Sequence, residues 1–172
     1  MHIGVPRERR ADEYRVGLTP AGVQLLTAAG HVCSVEHDAG RGAGFSDFDY
    51  EKAGGRIVYS AEEAYGRADV VFKVEPLTPE EAGLVREDSV LMGFLHLAAG
   101  LPSIVRTLTE RRVTAIAYES VQEDDGTLPV LVPLSQVAGK MAPQVAAALL
   151  RNDRGGNGIL LGGVPGVPPA RV

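Results

Sequence analysis

The chain holds a single cysteine, Cys33, no tryptophan, and only five tyrosines and four phenylalanines in 172 residues. One thiol cannot build a disulfide framework or a CxxC metal site, so no metal site is expected and the chain suits a reducing compartment. Scarce aromatics give few platforms for stacked bases, and a formal net charge of -5 leaves no basic footprint. Nucleic-acid binding is therefore disfavoured. Long apolar runs are missing as well. None approaches the roughly 20 residues of a membrane span, and Met1-His2-Ile3-Gly4-Val5-Pro6 passes directly into Arg7-Glu8-Arg9-Arg10 rather than into a signal-peptide core. The expectation is a soluble, unsecreted, cytoplasmic protein with no membrane and no nucleic-acid partner.

What the chain does have is 45% hydrophobic residues and 21 glycines. The first is enough for one well-packed domain, and the second, with no repeat period, implies many tight turns. Read in order, short apolar strands alternate with capped helices. His2 to Val5 is a strand. Thr19-Pro20 opens a helix, with Thr as cap and Pro at the first position, and Gly30 closes it. Val32 to Glu36, Arg56 to Tyr59, Asp69 to Val74 and Val113 to Tyr118 read as further strands. Between them, Ser46 is a cap candidate with Gly54-Gly55 as a stop, Thr78-Pro79-Glu80-Glu81 is a capping box, and Pro102 to Arg111 is helical. This alternation predicts an α/β fold: a doubly wound, mostly parallel sheet with helices on both faces.

The rhythm changes at Glu123-Asp124-Asp125-Gly126, a turn signal. Beyond it Ser135 is expected to cap a long helix through Leu150, with Val137, Met141, Val145, Ala148 and Leu149 at helical spacing. The Pro165, Pro168 and Pro169 stretch cannot be a strand or helix interior.

The run Leu91 to Gly100 reads as a central strand buried on both faces, carrying one ionisable residue, His96, near its carboxyl end. Ligands bind at that edge of an open parallel sheet, where an imidazole can transfer protons near neutral pH. The alternative is a buried histidine bonded to backbone.

Several stretches in order carry a family resemblance: Gly4-Val5-Pro6-Arg7-Glu8, Tyr14-Arg15-Val16, Thr19-Pro20-Ala21-Gly22-Val23, Gly42-Ala43-Gly44-Phe45-Ser46-Asp47, Phe94-Leu95-His96-Leu97-Ala98-Ala99, Ala115-Ile116-Ala117-Tyr118-Glu119, Ser135-Gln136-Val137-Ala138-Gly139-Lys140-Met141 and Gly162-Gly163-Val164-Pro165-Gly166-Val167. With them the chain resembles the alanine dehydrogenase family, which also includes the dinucleotide-binding subunit of proton-translocating transhydrogenase. The phrase around His96 resembles the dehydrogenases, since transhydrogenase passes hydride between two nicotinamides and needs no substrate acid. The resemblance implies oxidation of L-alanine to pyruvate and ammonia with NAD, through an iminium and a carbinolamine. It implies that Arg15 binds the substrate carboxylate, where a planar guanidinium grips bidentately, that His96 moves the proton, and that Ser135 contacts the cofactor. It also implies a homo-oligomer, a hexamer in the family.

One stretch departs from the pattern. Where the family reads Lys-Val-Lys-Glu-Pro, with the second lysine holding substrate, this chain reads Lys73-Val74-Glu75-Pro76. Lys73 either takes over the substrate role or snorkels at a strand end with its charge in solvent. Neither Gly40-Arg41-Gly42-Ala43-Gly44 nor the Gly162 to Gly166 set is a dinucleotide fingerprint. The resemblance thus covers a substrate-binding domain, residues 1–128, and a connecting helix with the start of a nucleotide domain, residues 129–172. Without a Rossmann fingerprint the 172-residue chain is expected not to turn over alanine by itself. The shortened stretch at Lys73 leaves a second reading open, a non-catalytic binding or assembly module.

Overall fold

The computed structural model describes residues 1–170. They form two compact units, the first ending at Val121 and the second beginning at Gln122. In the first, strands and helices alternate: β1 (His2–Val5), α1 (Pro20–Ala28), β2 (Val32–Glu36), α2 (Asp47–Lys52), β3 (Arg56–Val58), α3 (Ala61–Gly66), β4 (Val70–Phe72), α4 (Pro79–Leu84), β5 (Val90–Gly93), α5 (Pro102–Glu110) and β6 (Thr114–Ala117). The six strands make one sheet, ordered β3-β2-β1-β4-β5-β6, and every adjacent pair is parallel. This is the doubly wound α/β sheet expected from the alternation. The chain winds outward from β1 to β3, then returns to the other side of β1 as β4. Such a reversal leaves a crevice at the carboxyl ends of β1 and β4.

The helix starts follow from side-chain chemistry. Thr19, Ser46, Ser60 and Thr78 each accept a hydrogen bond from a backbone N–H of the first turn, and Ser46–Asp49 and Thr78–Glu81 are full capping boxes. Strand alternation then divides the apolar residues between two cores. Ile3, Val5, Val23, Cys33, Val35 and Tyr50 pack in one. Tyr65, Val71, Val85, Leu91, Leu95 and Ile104 pack in the other. Each such side chain, once fully buried, contributes about 1.5–3 kcal/mol. Gly4 lies between Ile3 and Val5 and points the opposite way. A Cβ there would stand 2.2 Å from the Ala64 carbonyl oxygen, so α3 rests on β1 only because the position has no side chain.

Three expectations are corrected. The strand that was to carry His96 stops at Gly93, and the chain turns at His96, where Ala99 N–H donates to the His96 carbonyl at 3.0 Å. The apolar run continues past the strand because Leu95, 2% exposed, is a core residue without being a strand residue. Ser135 is not a cap. In the second unit α6 (Val132–Leu149) starts four residues earlier, with Leu131 at its cap position and no side-chain cap. Pro133 fits the first turn, where its missing N–H costs nothing, so the helix extends back into the Leu128 turn. Ser135 is exposed inside the helix, its N–H bonded to the Leu131 carbonyl at 3.0 Å.

Lys73 neither reaches solvent nor points at an open site. It is 1% exposed, and its Nζ donates to Glu81 Oε1 at 2.7 Å and lies 3.0 Å from Glu8 Oε2. The Tyr65 hydroxyl donates to the same Glu81 oxygen at 3.0 Å, and burial beside that carboxylate holds the phenol well above its usual range. The snorkelling reading fails because β1's loop and α4 each supply a carboxylate, which neither motif nor spacing disclosed. None of the described helices is long and apolar enough to cross a membrane.

Removing the ammonium leaves two buried carboxylates without their cation. Lys73→Met is therefore expected to lower the free energy of unfolding in urea by about 3–5 kcal/mol. A loss below about 1 kcal/mol, the level of an exposed pair, would mean that water reaches the network.

Candidate functional site

The candidate site is the carboxyl edge of the sheet, where loops after β1, β4, β5 and β6 meet. The loop from Pro6 to Leu18 is held at its start by buried Glu36, which accepts from Arg7 N–H at 2.9 Å and pairs with Arg9. Towards its end Gly17 presses against β4, where an added Cβ would lie 2.3 Å from the Phe72 carbonyl oxygen. Between these anchors sits Arg15. Its Nε and one terminal nitrogen donate to the two oxygens of Glu13 at 2.9 and 2.6 Å. The same terminal nitrogen donates to Glu75 at 3.0 Å, which ties the β1 loop to the β4 loop.

This geometry sets the charge states. The Arg15 guanidinium holds the Glu13 carboxyl down at about 2, and Glu13 in turn raises the guanidinium. Arg7, Glu8, Glu13, Tyr14, Arg15 and Arg41 are among the walls of an open cleft of about 300 Å³. Arg15 is thus more than a surface arginine in a charged loop: it is half-exposed, and among the described residues its hydrogen bonds to Glu13 and Glu75 use Nε and Nη2 and leave Nη1 unengaged.

His96 stands after β5 in the left-handed region, at φ +43°. A non-glycine residue there is strained and persists only when its surroundings hold it. Glu119, just past β6, does so. Its carboxylate accepts from the N–H groups of His96 at 2.6 Å and Leu95 at 3.2 Å, and lies 3.7 Å from His96 Nδ1. The imidazole is 54% exposed, with the Phe94 ring beside it at 6.4 Å and Tyr118 edge-on to Phe94 at 5.5 Å. The buried-histidine alternative is excluded. Glu119 lay inside a motif already quoted, Ala115 to Glu119, yet its task could be seen only once β5 and β6 were paired.

The edge brings Arg15 together with Glu75, and His96 together with Glu119. Among the described residues these two pairs share no hydrogen-bonding partner, and His96 does not line the Arg15 cleft. A second cavity of about 360 Å³, largely apolar, takes lining from both loops: Arg10 and Pro76 on one side, Leu95 and Leu97 on the other. Elsewhere His37, Asp38 and Asp47 each bring one ligand atom within 4.8 Å of the others, a grouping that motif reading missed. His37 Nδ1 and Asp47 are already bonded at 2.5 Å, and Asp38 is paired with Arg41 at 3.3 Å.

Comparison with known proteins places these residues in context. The family described as "Alanine dehydrogenase/PNT, N-terminal domain" matches residues 4–138. The chain is 44% identical over its whole length to an alanine dehydrogenase of Mycobacterium tuberculosis and 43% identical to one of Methanococcus maripaludis, covering 46% of each. A solved L-alanine dehydrogenase superimposes with a TM-score of 0.83 at 45% identity, over 99% of this chain and 46% of that one. A solved transhydrogenase from Sinorhizobium meliloti matches with a TM-score of 0.64 at 28% identity, over 69% of this chain and 35% of that one. The chain spans about half the length of the curated relatives it matches.

Followed by carboxyl NMR, Glu13 is expected to titrate at about 2 in the intact chain and near 4.5 in Arg15→Gln. Because its folded pKa lies below the unfolded one, the pair's contribution to stability is complete above about 4.5 and is lost as pH falls towards 2. An unchanged Glu13 titration in the variant would refute the assigned cause. For the histidine, Glu119→Ala strands two backbone donors, so amide exchange at Leu95 and His96 should accelerate by at least about tenfold, a loss of the order of 1–3 kcal/mol.

Proposed function

The chain belongs to the alanine dehydrogenase/PNT N-terminal domain family, and on that premise we propose that it is the substrate-binding part of an NAD-dependent L-alanine dehydrogenase. The observation that carries the reading is the exposed His96 imidazole, held in a strained backbone conformation by Glu119 at the carboxyl edge of the sheet. Strain of this kind collects where a side chain must be aimed.

In the reaction inferred for the whole enzyme, L-alanine is oxidised to pyruvate and ammonia. Arg15 receives the substrate carboxylate, a planar donor pair matched to a planar acceptor pair. The Cα hydrogen leaves as hydride, and His96 takes a proton from the water that adds to the resulting iminium carbon and returns it to the departing nitrogen, while Glu119 holds the backbone that carries the ring. Lys73 has no free direction towards a substrate. It acts as a positioning residue, fixing the loop that carries Glu75 through Glu8.

NAD supplies the hydride acceptor when bound. Ser135, the one residue here matched to the cofactor, offers a single exposed hydroxyl from inside α6, and no glycine-rich turn accompanies it. The described residues therefore form no dinucleotide cradle, and their contribution lies on the substrate side. A cytoplasmic homo-oligomer is the setting this family membership supports.

Amide NMR of the 172-residue chain tests the reading. L-Alanine is expected to shift resonances in the Arg15 loop and in the segment from Phe94 to Leu97. Arg15→Ala should weaken that binding by about tenfold or more, the worth of a charge-assisted bidentate contact, and His96→Ala should abolish the response around Phe94. Equal responses in all three proteins would sink the assignment, and binding of NADH alone would redirect it towards a transhydrogenase role.

A further inference from the structure

Arg15 meets two carboxylates, and they are not equivalent. Glu13 is 8% exposed, grips the guanidinium with both oxygens and also accepts the Arg15 backbone N–H at 2.8 Å. Glu75 is 28% exposed and contributes one oxygen at 3.0 Å. An incoming carboxylate therefore displaces Glu75 and leaves Glu13 in place.

The displaced side chain cannot go far, because its backbone is tied down. Val74 N–H donates to Glu8 Oε1 at 2.7 Å and Glu75 N–H to Glu8 Oε2 at 3.4 Å, while the neighbouring Lys73 is fixed between Glu8 and Glu81. Once released, the Glu75 carboxylate stays beside the ligand that replaced it. A simple monoanion would then be repelled. A ligand carrying an ammonium next to its carboxylate would meet both partners at once, its carboxylate on Arg15 and its ammonium on Glu75. The surrounding charge points the same way. Arg15 and Lys73 face Glu8, Glu13, Glu75 and Glu81, and the cleft wall adds Arg7, Arg41 and Asp38, so among these groups carboxylates outnumber cations by one. Such a field disfavours a bare anion and is indifferent to a zwitterion.

We propose that Arg15 and Glu75 together form a zwitterion receptor, which selects an α-amino carboxylate over the corresponding 2-oxo acid. The inference rests on the site assignment made above and adds a specificity-determining residue to it. Glu75 corresponds to the glutamate of the Lys-Val-Lys-Glu-Pro pattern, and in this chain it stands in a stretch that lacks the pattern's second lysine.

Titrating the intact chain with L-alanine and with pyruvate, by amide NMR at concentrations able to reveal millimolar affinities, tests it. The wild-type chain is expected to bind L-alanine more tightly. In Glu75→Gln, which keeps size and a polar contact, the L-alanine to pyruvate affinity ratio should fall by about tenfold, through weaker alanine binding and stronger pyruvate binding. Glu75→Ala should shift the ratio in the same direction, and the spectra themselves report that both variants fold. If both ligands bind and the ratio moves less than about twofold, the selectivity proposal is overturned while the site assignment stands. If neither ligand binds the wild type or either variant, both fall together.

Discussion

One buried ammonium organises the working edge of this protein. Lys73, at the end of β4, is shared between Glu8 from the β1 loop and Glu81 from α4, with the Tyr65 hydroxyl completing the set. In a low-dielectric interior such charges tolerate only a full complement of partners, so the positions of the chain segments that bear them are not negotiable. Through Glu8 the constraint passes to the Val74 and Glu75 amides, and from Glu75 to Arg15. The β1 and β4 loops are thereby locked across the strand-order reversal, where a parallel sheet opens its binding crevice.

A second constraint works on the far side of β4. Glu119 reaches from the end of β6 to two consecutive backbone donors and holds His96 at positive φ with its ring in solvent. In both places a carboxylate from one loop fixes the backbone of another, and a basic side chain is left partly accessible. The edge thus combines rigid backbone with two partly exposed cationic or basic groups, Arg15 and His96.

The fold was legible because its signals are local. Thr19, Ser46 and Thr78 announce helix starts through hydrogen bonds that span only three residues, and Gly30 and Gly54 mark stops by adopting positive φ. Strand–helix alternation did the rest, since parallel neighbours require crossovers. Where local signals competed, reading failed. Leu95 and Leu97 prolonged an apolar run past the end of β5, and Ser135 looked like a cap although Pro133 lets the helix begin earlier.

By itself, then, the amino-acid sequence determined the sheet class, the helix caps at Thr19, Ser46 and Thr78, the family and the identity of Arg15 and His96 as residues worth following. It did so because caps, periodicity and motif order depend on neighbours along the chain. Tertiary structure alone decided that Lys73 is buried, that Glu75 lies on Arg15, and that Glu119 holds His96. Those outcomes depend on charges separated by 8 to 65 positions in sequence, which meet only when parallel strands bring their carboxyl ends to one edge.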